Sequence, residues 1–159
     1  LGVVALFLMI FTTKSNKAKM ELNLKEITYI NEMAITVGLV MLTIGNFMGG
    51  QWANESWGRY WGWDPKETWA LISIMVYAFV IHMRFVPALR GLWIYNLMSV
   101  LAFYSIMMTY FGVNFYLSGL HSYAKGDQVV TPSFIWISIG IITVLGSLAF
   151  YKYKKYYKK

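Results

Sequence analysis

Five of the chain's seven tryptophans, Trp52, Trp57, Trp61, Trp63 and Trp69, fall within 18 residues, interleaved with Gly58 and Gly62 and joined by Asp64. Indole rings in a glycine-punctuated segment offer a surface for a flat, largely apolar ligand. Tryptophan also collects at the membrane–water boundary as an aromatic belt. A belt spreads over all span ends, whereas residues 114–131, the next long polar segment, contain no tryptophan. Composition alone leaves both readings open. Arg59 and Lys66 are the nearest cations; they suit an anionic ligand group, but equally a cation–π contact or water. Asp64 is an acid or base by type and a helix cap by context: in Asp64-Pro65-Lys66-Glu67, proline suits the first helical position and Glu67 stands at capping-box spacing.

The chain has two histidines, His82 and His121, and no cysteine, so a metal would fall to His, Met, Tyr or carboxylate ligands. His82 lies 18 residues after Asp64 in the same predicted helix, about 27 Å along its axis at 1.5 Å per residue, and His121 belongs to the loop at the opposite end. Imidazoles bind iron at about 2 Å, so these two cannot share one iron within this chain. The ten methionines are scattered through apolar runs and read as packing or lipid-facing residues. Glu32 and Asn46 sit near the two ends of the first full span and read as interfacial, with an intramembrane role for Glu32 the alternative. No nucleophile, acid and base stand together.

These residues need helices to position them, and the composition says where those helices sit. Of 159 residues, 58% are hydrophobic and 13% charged, more apolar material than one small soluble core can bury. Each crossing needs about 20 apolar residues. The fold expected is an all-α polytopic transmembrane bundle, with about four full or partial spans, a half span at the N-terminus and an external tryptophan-rich loop. Residues 1–12 read as the end of a truncated transmembrane helix, which makes the chain the C-terminal piece of a longer protein. Residues 13–26 read as a cytoplasmic linker, residues 27–151 as the membrane domain and residues 152–159 as a basic cytoplasmic tail. Within the domain the spans are residues 27–48, ended by the Gly49-Gly50 pair, 64–83, 92–111 and 132–151.

The net charge of +7 does not point to nucleic acid, because the basic residues sit at span edges rather than along one soluble face. Eleven of the fourteen Lys and Arg (Lys14, Lys17, Lys19, Lys25, Arg84, Arg90 and five in residues 152–159) fall on one side and three (Arg59, Lys66, Lys125) on the other. The positive-inside rule then puts the termini and the 84–90 link in the cytoplasm and the tryptophan segment and His121 loop outside. The lysine- and tyrosine-rich tail reads as a stop-transfer anchor, with an anionic-lipid patch the alternative.

The string WGRYWGWDPKETWALI, residues 57–72, resembles the WWD signature of the heme-handling proteins of cytochrome c maturation, in the CcsA/ResC (CcsBA, system II) branch. GVNFYLSGLHSYA, residues 112–124, resembles the external histidine loop of the same family. The likeness covers roughly residues 28–151. It implies heme b as cargo, held on an external platform to which Trp57, Trp61, Trp63, Asp64 and Trp69 belong, with Arg59 and Lys66 as propionate partners. It implies two heme positions, each with a histidine pair: His82 would ligate iron in the membrane and His121 iron outside. Their partners would come from the N-terminal remainder of the protein or a CcsB-type subunit. The implied activity is that of a cytochrome c heme lyase or synthase in the bacterial inner membrane, attaching heme to the Cys-x-x-Cys-His motif of apocytochrome c at the periplasmic face. The alternatives are a heme chaperone without covalent chemistry, or an unrelated transporter or quinol-reacting subunit.

Overall fold

The computed structural model describes residues 1–117 and 133–157. All regular structure among them is helical: α1 (Gly2–Ile10), α2 (Lys17–Trp57), α3 (Pro65–His82), α4 (Leu92–Leu101), α5 (Phe103–Met107), α6 (Val113–Tyr116) and α7 (Ser133–Tyr156). Two single 3₁₀ turns, Met83–Phe85 and Pro87–Leu89, connect α3 to α4, and a π turn, Met108–Gly112, connects α5 to α6. Four stretches are long and apolar enough to cross a bilayer: Lys17–Trp57, Pro65–Phe85, Leu92–Gly112 and Ser133–Tyr156. No more than 22% of the most apolar window of any of them is buried within the chain, which leaves apolar faces suited to lipid. The chain is an integral membrane protein.

Two expectations about boundaries need correcting. Gly49-Gly50 does not end the first span: α2 runs on to Trp57, so Trp52 and Trp57 stand on a helix rather than in a loop. A mid-helix glycine costs only about 1 kcal/mol relative to alanine, less than breaking backbone hydrogen bonds near a bilayer. Gly50 serves close approach instead: the ring of Tyr60 lies where a side chain on Gly50 would go, and its hydroxyl donates to the Phe47 carbonyl at 3.1 Å. The true stop is Gly58, at φ 71°, whose N–H donates to the Asn54 carbonyl at 3.0 Å in a left-handed C-terminal cap. At the other end, α2 starts at Lys17 inside the segment read as a linker, and α7 carries its helix through to Tyr156. With 41 residues α2 is about 62 Å long, twice a roughly 30 Å hydrocarbon core.

The chain divides into two compact units. One comprises residues 1–34, 82–101 and 131–159. Its core is Ala5, Leu6 and Met9 of α1, Leu24 of α2, and Leu145 and Ala149 of α7, with Trp93 and Leu97 of α4 packed against them. Trp93 donates its indole N–H to the Gly146 carbonyl at 2.9 Å. Beside this core lies a buried polar cluster. Asn31 donates to the Asn96 side-chain oxygen at 3.2 Å and lies 2.9 Å from the Ser99 hydroxyl, and Asn96 donates to Thr28 at 2.7 Å. In the same unit Arg84 pairs with Glu32 at 2.8 Å and lies over the rings of Tyr29 and Tyr95. Glu32, read as interfacial, therefore fastens the 84–90 link to α2.

The other unit comprises residues 35–81 and 102–130 and carries the tryptophan segment. Here α3 is joined to the π turn through Ser73 and Thr109, whose hydroxyls are 3.0 Å apart and both within 3.1 Å of the Trp69 carbonyl.

Candidate functional site

The start of α3 is built as its sequence dictates. Asp64 is buried, and its carboxylate accepts the Lys66 N–H at 3.2 Å, while the Glu67 carboxylate reaches back to the Asp64 N–H at 3.2 Å. This is a variant of the capping box in which the N-cap carboxylate takes the second helical amide and Glu67 returns the bond. Proline at position 65 contributes no N–H that would need a partner, and the two acids sit favourably at the positive end of the helix. Asp64 thus acts structurally as a cap.

The same Glu67 oxygen also accepts the Gly62 N–H, at 2.8 Å. One carboxylate oxygen therefore grips the backbone amides on both sides of Trp63. Between them Trp63 is held at φ 57°, the left-handed region, and is 70% exposed. A side-chain-bearing residue there is disfavoured by roughly 1–2 kcal/mol, and a bulky one is an outlier. The two hydrogen bonds that Glu67 accepts offset that cost.

Four of the five tryptophans form two edge-to-face pairs. Trp52 and Trp57, on the last turns of α2, have ring centroids 5.1 Å apart at 77°; Trp61 and Trp63, in the loop, are 5.9 Å apart at 88°. Trp52 and Trp61, together with Asn46, Tyr60, Lys66 and Glu67, line an open cleft of about 250 Å³. Trp57, Trp63 and Trp69 are not among its lining residues, so the five tryptophans do not form one wall of the cleft. The cleft is smaller than the ~300–1,000 Å³ of an enclosing ligand pocket.

The two cations differ in what they touch. The Arg59 guanidinium folds back over the backbone of Gly62, occupying the place of a side chain there. Lys66 donates to the Asn114 side-chain oxygen at 3.3 Å, tying the tryptophan segment to the stretch seven residues before His121. His121 itself lies outside the described residues. His82 is the last residue of α3, exposed, with its ring 5.8 Å from that of Phe85; it is not among the cleft residues. Sequence reasoning missed the second amide held by Glu67, the seating of Tyr60 on Gly50 and the Lys66–Asn114 contact. Glu67 was within reach, standing three residues after an N-cap; the others depend on residues distant in sequence and carry no local signal.

Comparison with known proteins fits this architecture. The family model described as "Cytochrome C assembly protein" matches residues 1–121. Protein NrfI of Wolinella succinogenes is 53% identical over 113 residues, 71% of this chain and 12% of that protein. The cytochrome c biogenesis protein CcsA of Guizotia abyssinica is 44% identical over 112 residues, 69% of this chain and 33% of that protein. CcsA of Prochlorococcus marinus (strain MIT 9215) is 44% identical over 99 residues, 62% of this chain and 32% of its own length. The chain spans about a third of the CcsA relatives and about an eighth of NrfI. With the match running through the capped tryptophan segment and the next two of the membrane helices that follow it, the chain belongs to the cytochrome c assembly protein family.

Proposed function

We propose that this chain is the heme-presenting part of a cytochrome c synthase, in which residues 27–151 form the heme-handling domain. The observation that carries the reading is the tryptophan segment: a capped loop that exposes Trp63, pairs its indoles edge to face and opens a cleft lined by Lys66. Heme matches that surface in kind, being planar and apolar with two carboxylates at one edge. Arg59 and Lys66 suit the propionates, and Trp57, Trp61 and Trp63 suit the porphyrin face.

In this reading His121 ligates the iron of externally presented heme and His82 that of a second heme in the membrane, each with a partner histidine from the rest of the protein or a CcsB-type subunit. The termini are cytoplasmic, and the tryptophan segment and His121 loop face the periplasm across the bacterial inner membrane. The covalent step is addition of each cysteine S–H of an apocytochrome Cys-x-x-Cys-His motif across a heme vinyl group. Sulfur bonds to one vinyl carbon, the hydrogen ends on the other, and no net oxidation occurs. The thiols belong to the substrate, so the residues named here bind and orient, and proximity supplies the acceleration. The incoming substrate histidine replaces one external ligand and releases the product.

Absorption spectroscopy of the full-length membrane protein tests this. As purified it should show a low-spin heme spectrum, and His121→Ala should lose most of the external signal and regain part of it on addition of imidazole. A spectrum indifferent to His121→Ala would count against axial ligation there. Heme retention without any thioether product, when apocytochrome is supplied, would favour a chaperone.

A further inference from the structure

Trp63 occupies a backbone conformation that glycine adopts freely and tryptophan does not. Gly62 is its neighbour, so the loop has a glycine within one residue of the left-handed position and still places its bulkiest side chain there. Burial does not explain the choice, because the residue is 70% exposed and its described ring contact is an edge-to-face one with Trp61. A left-handed residue turns its side chain out of the path that an extended one would follow, so the conformation sets which way the indole faces. What holds it is one oxygen of Glu67, bonded to the N–H of Gly62 and the N–H of Asp64.

We infer that Glu67 is the positioning residue of the ligand surface, its carboxylate clamping the amides on either side of Trp63 so that the indole stands out as a stacking face for the planar ligand. This rests on the heme reading above and deepens it. Glu67 has a second structural task as a capping residue, but capping needs only the Asp64 amide. The Gly62 bond, five residues back in the chain, contributes nothing to the helix and serves the loop alone. Glutamine retains a carbonyl oxygen at the same place and can accept from both amides.

Four variants of the full-length protein separate positioning from folding, with heme content measured by absorbance and loop geometry by near-ultraviolet circular dichroism of the heme-free protein. Glu67→Ala should weaken heme retention by about fivefold, the scale of one aromatic stacking contact, and change the tryptophan dichroism, while Glu67→Gln keeps both close to native. Trp63→Gly, which removes the backbone conflict, should melt at or above the native temperature yet lose heme to a similar extent. Trp63→Phe should recover part of it. Native heme retention in Glu67→Ala or in Trp63→Gly would overturn the proposal, as would equal losses in Glu67→Ala and Glu67→Gln. If the native protein takes up no heme when titrated with it, the heme reading itself fails; the clamp is then judged on the dichroism, where identical Glu67→Ala and native signals would overturn it.

Discussion

The two units of this chain use polar groups in opposite ways. In the unit built on α1, α4 and α7, Thr28, Asn31, Asn96 and Ser99 are buried together and hydrogen-bond one another across helices. Every donor named there meets an acceptor, and the result is a buried, hydrogen-bonded joint between helices. In the unit that carries the tryptophan segment, the polar groups of Asp64, Glu67 and Lys66 are spent on backbone amides and on Asn114. The aromatic rings beside them stay at the surface. The first arrangement lowers the energy of the fold. The second keeps a disfavoured backbone and exposed indoles in place, as expected where structure serves a ligand rather than stability.

That contrast can be broken most strongly in the packed unit. Asn96→Ala should destabilise the protein by about 2 kcal/mol, because it removes the acceptor of Asn31 and the donor to Thr28 from a buried site. Reversible unfolding in mixed micelles measures this. A smaller effect is expected at the cap: Asp64→Ala should cost about 1 kcal/mol, while Asp64→Asn, which also caps, should be nearly neutral. Asp64→Asn should also preserve most cytochrome c assembly, measured as covalent heme in the product; complete loss would give the Asp64 charge a role beyond capping.

Both units were only partly legible in the sequence. The start of α3 was readable because Asp64, Pro65 and Glu67 act within four residues of each other, and the four apolar spans were readable from length and hydropathy. Gly49-Gly50 misled because its meaning lies in a contact with Tyr60, ten residues on from Gly50, and the pattern of a helix stop is the same as that of a helix made thin for a neighbour. The Asn31–Asn96 contact joins residues 65 apart, and two asparagines in apolar runs do not announce that they meet. Trp63 could not have been assigned its conformation from type, since its side chain argues against it. The segment was recognisable as special; how it is held was not.

The central claim is that external heme presentation resides in the tryptophan segment, while the buried polar cluster of the other unit serves stability. Measuring heme content and melting temperature together, on full-length Trp61→Leu and Asn96→Ala proteins, tests it most directly. The account predicts that Trp61→Leu loses heme while melting close to native, and that Asn96→Ala melts lower while retaining heme at temperatures where it is folded. Heme loss that simply follows melting temperature in both variants would contradict it.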